Sequence, residues 1–266
     1  MMKKGEIIPE CKGCIYLRED YWDDKDYISF INFNNWTICN EHCVYCWLND
    51  ENMTHLEQYN VYPVIKDMAE RGYLKEGGHI TIAGGEPCVA PEFDELLKLF
   101  IDRKLNVRVL TNATKYSDIV ELGIKSGFVN IVVSVDSGTK DMFIKVKRYD
   151  FYDKVWENIR KYSSVKIKSD AVKTKFILIP NVNDTKEEID SWIEKSMSVG
   201  VSHLAFDIEM FWYNKNKDNL PDSIFDITEY TFSKINEYKL QLELIDRGVL
   251  IADTIKNVKA KYHDKN

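Results

Sequence analysis

Short runs of apolar and β-branched residues alternate along this chain with longer stretches in which apolar residues recur at helical spacing. The short runs predict six strands, at residues 27–33, 79–84, 107–111, 130–135, 172–179 and 203–209. These runs are rich in Val, Ile and Phe, and several are almost continuously apolar. Such runs are typical of parallel strands that are covered by helices.

The stretches between the predicted strands favour helices, at residues 54–72, 91–104, 117–127, 139–163 and 185–200. Connections of helical length are what parallel strands require. The sequence therefore predicts an α/β fold, a partial (β/α)6 TIM-like barrel at residues 28–210. An N-terminal segment, 1–27, precedes this barrel, and a mostly helical C-terminal segment, 211–266, follows it. In such sheets the site lies at the carboxyl ends of the strands.

Composition narrows the class of protein. Hydrophobic residues make up 44% of the 266 positions, which is enough for a sizeable core, and the net charge is −7. A net negative charge makes nucleic acid an unlikely partner, because the phosphate backbone is itself anionic. The basic stretch IKVKRY, 144–149, is interpreted as a solvated helix face. No apolar run approaches the roughly 20 residues of a membrane span, so no membrane association is expected.

The cysteines carry the strongest chemical signal. All of them lie in the first third of the chain, at positions 11, 14, 39, 43, 46 and 88, and three form the spacing C-x3-C-x2-C in CNEHCVYC, residues 39–46. The first residues contain no apolar leader, so we expect a cytoplasmic protein with reduced thiols. Clustered thiols then suggest a metal site. One interpretation is a zinc loop completed by His42 or another cysteine.

The cysteine loop resembles the signature of the radical S-adenosylmethionine (radical SAM) superfamily, with Tyr45 as the aromatic residue before the last cysteine. The resemblance implies that Cys39, Cys43 and Cys46 hold three irons of a 4Fe–4S cluster. The fourth iron then has no protein ligand and binds the amino and carboxylate groups of SAM.

Further segments resemble the family's SAM-binding motifs in the same order. Gly84-Gly85-Glu86-Pro87 resembles the GGEP motif, in which glycines allow close backbone approach and a carboxylate supplies a charge-assisted bond. Thr111-Asn112-Ala113 resembles the TNG segment, with alanine in place of glycine. The resemblance assigns SAM contacts to Tyr45, Gly84, Gly85, Glu86, Pro87, Asn112, Ser134, Asp136 and Pro180.

The family resemblance also implies a reaction type. One electron entering the cluster, from an external donor such as flavodoxin or ferredoxin, cleaves SAM and yields a 5′-deoxyadenosyl radical. This radical abstracts hydrogen from an organic substrate, and we expect a sugar or amino sugar, or a peptide. Alternative functions are activation of a glycyl-radical enzyme and a non-catalytic metal-binding interaction module.

The remaining cysteines leave several interpretations open. Cys11, Cys14 and Cys88 are candidate ligands of a second iron–sulfur or zinc centre, and Cys88 is also a candidate hydrogen-atom donor. The alternative is that all three are reduced, partly buried thiols. Residues 89–266 contain no cysteine, which argues against a SPASM or Twitch extension.

Two carboxylates are candidate substrate contacts. Asp207 and Glu209 alternate at the end of the sixth predicted strand, where they could orient a polyol, an amine or a basic peptide side chain. The alternative is that they pair with Lys173 or Lys175 of the neighbouring strand.

Overall fold

The computed structural model describes residues 27–49 and 59–245. Its centre is an open sheet of seven strands that follow one another in sequence order. Every neighbouring pair is parallel. The strands are Ile28–Trp36 (β1), Leu74–Gly84 (β2), Asn106–Thr111 (β3), Val129–Ser134 (β4), Val172–Leu178 (β5), His203–Ile208 (β6) and Gln241–Leu244 (β7). The predicted α/β class is confirmed, and the sheet does not close into a barrel.

Helices connect successive strands, as parallel pairing requires. They are Tyr62–Glu70 (α1), Phe93–Asp102 (α2), Asp118–Ser126 (α3), Lys140–Lys147 (α4), Tyr152–Val165 (α5), Lys186–Ser198 (α6), Met210–Asn216 (α7) and Asp222–Glu237 (α8). Within the described residues, none of them has the length and apolar character of a membrane span.

The two faces of the strands differ in polarity. In β5 every second residue from Val172 to Leu178 is buried, whereas Lys173, Lys175 and Ile177 are only half-buried. Val172, Phe176 and Leu178 of the buried set belong to the main hydrophobic core, together with apolar residues of the helices. The other set lies on the concave side of the curved sheet, which we call the inner face. Apolar burial therefore stabilises the outer side and leaves the inner face free to carry polar groups.

The C-terminal segment differs from its prediction by containing a strand. It begins with α7 and α8, as expected, but β7 then pairs with β6, with Gln241 opposite His203 and Leu244 opposite Phe206. Four residues are too few to show a strand period, and the open edge of β6 supplies the hydrogen bonds that make this segment extended.

Two predicted helices also have different bounds. The pattern at 139–163 is divided into α4 and α5, because Arg148 ends α4 in the left-handed conformation, with φ of 68°. Helix α1 begins at Tyr62 with Pro63 in its first turn, where proline is tolerated. The predicted start of that helix, at residues 54–58, lies outside the described residues.

Candidate active site

A cavity of about 270 Å³ opens at the carboxyl ends of the strands. It is bounded by the loop after β1, the ends of β2 to β6 and the start of α7. The predicted site residues on its wall are Cys39, Cys43, Tyr45, Cys46, Gly84, Gly85, Glu86, Asn112, Ser134 and Glu209. Residues from widely separated parts of the sequence therefore share one site, although the ligands assigned to them stay predictions.

Other predicted residues do not line this cavity. They are Pro87, Cys88, Asp136, Pro180 and Asp207. Cys11 and Cys14 lie outside the described residues, so the second centre stays a prediction.

Backbone hydrogen bonds hold the cysteine loop against the GGEP segment. The N–H of Gly85 donates to Trp36 O at 2.6 Å, and the N–H of Glu86 donates to Ile38 O at 2.8 Å. A Cβ on Gly85 would lie only 2.0 Å from Ile38 O, so no other residue fits there without displacing the loop. Glycine at this position is therefore a packing requirement of the cysteine loop.

The far side of the cysteine loop is fixed to the end of α4. The N–H of Val44 donates to Val146 O at 2.9 Å, and the N–H of His42 donates to Lys147 O at 3.3 Å. The loop thus satisfies carbonyls at the helix terminus that would otherwise have no intrahelical partner.

Burial favours the protonated form of the Cys39 and Cys43 thiols. Burial raises the pKa of Cys39 to about 11, opposed by a hydrogen bond from the N–H of Glu41. Burial likewise raises the pKa of Cys43 to about 12, opposed by the charge of Lys147. Both thiols therefore hold their protons until a metal replaces them.

Among the described residues, no three His, Cys, Asp or Glu side chains converge closely enough to bind one metal ion. The cysteines nevertheless border the same cavity. Three thiols on one cavity fit a group in which each thiolate binds a different iron. Hydrogen bonds from backbone N–H groups also reach two of the sulfurs, from Glu41 to Cys39 and from Leu48 to Cys46. The residues present therefore fit a 4Fe–4S cluster.

Glu86 is a structural anchor of the GGEP segment. Its buried carboxylate accepts from Thr111 Oγ1 at 2.7 Å, from the N–H of Asn112 at 2.6 Å and from the N–H of Cys88 at 3.1 Å. Burial raises the pKa of Glu86, and these hydrogen bonds oppose the rise. The carboxylate thus joins the end of β2 to the end of β3 and leaves the glycine backbone along the cavity.

Cys88 lies behind Glu86, in the core. Its side chain is buried, and its Sγ is 3.8 Å from Thr111 Oγ1. It does not border the cavity, where a hydrogen-atom donor would have to meet the substrate. This position favours the interpretation of Cys88 as a reduced, buried thiol.

Asp136, a predicted SAM contact, lies behind the cavity wall. Its carboxylate is fully buried and is engaged by three donors: Lys147 Nζ at 2.6 Å, the N–H of Ile177 at 2.8 Å and the hydroxyl of Tyr45. Burial by itself would raise the pKa of Asp136, but the charges of Lys147 and Lys175 lower it overall. Asp136 therefore supports Tyr45 from behind the cavity wall.

Lys147 is a site residue that the sequence reasoning missed. It lies in the stretch interpreted as a solvated helix face, yet its side chain is only 1% exposed and pairs with Asp136. Its Nζ also donates to Tyr45 Oη at 3.1 Å. Its burial could have been predicted from the sequence, because Lys147 follows Phe143 by four residues and the two side chains share the buried side of α4.

Two asparagines were also missed. Asn40, inside the cysteine loop, accepts from Asn112 Nδ2 at 2.8 Å and donates to Thr114 Oγ1 at 2.6 Å. Asn183 donates to the carbonyls of Asp136 and Ile177, both at 2.9 Å. Both fix the ends of strands around the cavity. Ala113 has φ of 55°, a conformation that suits the glycine of the family's TNG segment.

Of the remaining predicted contacts, Glu209 borders the cavity, whereas Pro180 and Asp207 do not. Pro180 is buried away from the cavity, whereas the preceding Ile179 lines an adjoining pocket with Tyr45 and Cys46. Glu209 borders the cavity but caps α7, accepting from the N–H groups of Phe211 at 2.9 Å and Trp212 at 2.5 Å.

Asp207 is buried and accepts from the N–H of Ile208 at 2.9 Å. The alternative for these carboxylates is a pairing with Lys173 or Lys175, and Lys173 Nζ pairs with Glu243 at 2.7 Å. Of these two carboxylates, the one that borders the cavity is Glu209, directly after β6, and its oxygens already accept hydrogen bonds.

Comparison with known proteins agrees with this geometry. The family model described as Radical SAM superfamily matches residues 36–193, more than half of the chain. A GTP 3′,8-cyclase of Clostridium botulinum is 27% identical over 181 residues, which cover 66% of this chain and 54% of that protein. An S-adenosylmethionine-dependent nucleotide dehydratase of Flammeovirga pacifica is 26% identical over 173 residues, covering 59% of this chain and 58% of that protein. The chain spans about half the length of the curated relatives it matches.

Solved structures show the same fold at low sequence identity. SuiB of Streptococcus suis bound to S-adenosylmethionine matches with a TM-score of 0.62 and 16% identity, covering 83% of this chain and 50% of that one. The protein anSMEcpe with bound AdoMet also gives a TM-score of 0.62 and 16% identity, covering 81% of this chain and 63% of that one. Members of the matching family use a 4Fe–4S cluster and SAM. This chain belongs to the radical SAM superfamily of enzymes.

Proposed function

We propose that Cys39, Cys43 and Cys46 hold the cluster at which this enzyme reductively cleaves SAM, and that the resulting radical abstracts hydrogen from the sugar of a small organic substrate. The observation that carries the proposal is the convergence of the three thiols with Gly84, Gly85 and the other predicted SAM contacts on one cavity. When bound, the cluster supplies the electron that splits SAM into methionine and a 5′-deoxyadenosyl radical.

The chain's own residues would bind and orient the two substrates. The glycines at the end of β2 and Ser134 at the end of β4 border the cavity and can bind SAM. Apolar side chains, including Leu110 and Ile177, border the same space. They would limit access of water, which a primary carbon radical must be protected from.

The preference for a sugar-containing substrate is supported by the relatives. Two curated relatives that match this chain are named for reactions of nucleotides, GTP in one and an unspecified nucleotide in the other. A nucleotide carries a ribose whose C–H bonds a 5′-deoxyadenosyl radical can attack. A reduced flavodoxin or ferredoxin would supply the electron, and a reducing cytoplasmic compartment would keep the thiols available.

Reductive cleavage of SAM tests the proposal directly. The protein is reconstituted anaerobically with iron and sulfide and reduced with dithionite in the presence of SAM, and 5′-deoxyadenosine is measured by chromatography. We expect its formation by the wild-type chain and its loss, together with bound iron, in the Cys39→Ala, Cys43→Ala and Cys46→Ala variants. Nucleoside triphosphates are then added to find whether one is consumed.

Cys88→Ala is the matched control, because Cys88 is a cysteine that does not border the cavity. It should keep its iron and still yield 5′-deoxyadenosine. A partial loss of iron in this variant, with 5′-deoxyadenosine still formed, would instead support a second centre. A colourless wild-type protein containing stoichiometric zinc would overturn the proposal in favour of a metal-binding module. Glycyl-radical formation on a partner protein would support the activase alternative.

A further inference from the structure

Lys175 is a cation on the cavity wall whose function is not explained by the fold. It lies on the inner face of β5, in register with Ser134 of β4 and Ala205 of β6, and it borders the cavity together with Ser134. Ile177, two residues later on the same face of β5, also borders this cavity, which is the proposed space for SAM and substrate.

The ammonium group of Lys175 has no hydrogen-bonding or ion-pair partner among the described residues, in contrast to neighbouring lysines. Lys147 Nζ pairs with Asp136 at 2.6 Å, and Lys173 Nζ pairs with Glu243 at 2.7 Å. The carboxylate of Asp136 is already engaged by Lys147, Tyr45 and the N–H of Ile177.

The electrostatic surroundings favour an incoming anion. Burial lowers the pKa of Lys175; the charges of Asp136 and Asp207 oppose this effect, and the charge of Lys147 adds to it. A half-buried ammonium group that lacks a partner is costly, and a charge-assisted hydrogen bond to an oxyanion removes that cost.

We propose that Lys175 is the residue that binds an oxyanion, a carboxylate or a phosphate, of the molecule occupying this cavity. Two molecules can supply that group: SAM through its carboxylate, and the substrate through a phosphate or carboxylate. The second source rests on the proposed function, because it assumes that the substrate shares the cavity with SAM.

Anaerobic binding measurements on the reconstituted full chain separate these sources. Dissociation constants are measured by equilibrium dialysis for SAM, for decarboxylated SAM and for inorganic pyrophosphate. The variants are Lys175→Met, Lys175→Arg and, as a matched control on the same strand and face, Lys173→Met. Iron content is recorded for each variant, so that loss of the cluster is recognised.

If Lys175 binds a substrate oxyanion, Lys175→Met should weaken pyrophosphate binding roughly tenfold to a hundredfold, the value of one charge-assisted bond. If it binds the SAM carboxylate, the same variant should weaken SAM but not decarboxylated SAM. In both cases Lys175→Arg should restore part of the affinity, and Lys173→Met should have no effect. Unchanged affinity for every probe in Lys175→Met, or an equal loss in Lys173→Met, would overturn the proposal.

A measurement on the wild-type chain tests the same proposal without relying on a variant that could fail to fold. Reductive methylation followed by peptide mass analysis reports the accessibility of each lysine. Pyrophosphate or SAM should slow the labelling of Lys175 and leave the labelling of exposed Lys140 unchanged. Equal labelling of Lys175 with and without both ligands would contradict the proposal. None of these measurements requires turnover. Lys175-dependent binding without 5′-deoxyadenosine formation would therefore overturn the proposed function and leave this inference standing.

Discussion

Arg108 of β3 and Glu243 of β7 form an ion pair, with 2.5 Å between Nη2 and Oε1, although β4, β5 and β6 separate their strands in the sheet. Such a contact is possible only because the sheet curves until the inner faces of β3 and β7 approach each other. The other oxygen of Glu243 pairs with Lys173 of β5 at 2.7 Å. Although burial by itself would raise the pKa of Glu243, its two cations lower it. This cluster joins the short last strand to the rest of the fold.

Neutralising Glu243 should weaken the attachment of β7 only slightly. About a third of each side chain in the Arg108–Glu243 pair is exposed, so solvent screens the interaction. We expect Glu243→Gln to lower the free energy of unfolding by less than about 1 kcal/mol. The difference from wild type should shrink in about 1 M salt, where the Debye length is about 3 Å. Urea unfolding at low and high salt measures both effects, and a large loss that salt leaves unchanged would contradict this prediction.

Removing Lys147 should be far more damaging. Its partner Asp136 is fully buried and would be left as an unpaired charge, so Lys147→Met should destabilise the chain by about 3–5 kcal/mol. Adding Asp136→Asn in the same chain should recover part of that loss. Urea unfolding of the single and double variants measures the recovery.

Lys140→Met is the control for that experiment, since Lys140 pairs with Asp153 on the exposed surface. We expect no measurable change in its unfolding. Equal stability of Lys147→Met and wild type would show that the buried pair contributes little.

Protonation of Asp136 at low pH should remove the stabilisation that its buried pair with Lys147 provides. The pKa of Asp136 is lowered in the folded chain, so the folded state favours the charged carboxylate relative to the unfolded state. The resulting stabilisation is present above the ordinary aspartate pKa of about 4 and is lost as the pH falls through the lower folded value. Urea unfolding at a series of pH values below about 5 should show this loss in wild type.

The double variant Asp136→Asn/Lys147→Met lacks the titrating carboxyl and should lose less stability over the same pH interval. Parallel curves for this variant and wild type would assign the acid sensitivity to other carboxyl groups.

A methyl group on Gly85 should disturb the cysteine loop. The added Cβ would meet Ile38 O at 2.0 Å, which requires movement of the backbone that leads directly into Cys39. We expect Gly85→Ala to retain much less iron after reconstitution, measured by absorbance and by iron analysis.

The control variant is Gly72→Ala, because Gly72 has open space around the added Cβ but a φ of 77°. It should cost only the strain of the left-handed conformation, about 1–2 kcal/mol, and keep its iron. Full iron retention in Gly85→Ala would mean that the loop adapts without affecting the cluster.

The sequence alone determined the features that depend on neighbours along the chain. The spacing of Cys39, Cys43 and Cys46 fixes three thiols on one loop, and the alternation of apolar runs with helical patterns gives the order of strands and helices. Because parallel strands align their carboxyl ends, the sequence also indicated that the loop after β1 and the GGEP segment would meet.

Only the tertiary structure decided which polar groups line the cavity and which lie behind it. Lys147 has the local sequence of a surface residue but is buried by the cysteine loop and paired with Asp136, which is itself withdrawn from the cavity. The segment of β7 is extended because β6 offers an open edge and because Arg108 and Lys173 attract Glu243. Burial and charge pairing between residues far apart in the chain depend on the curvature of the whole sheet, which no short stretch of sequence encodes.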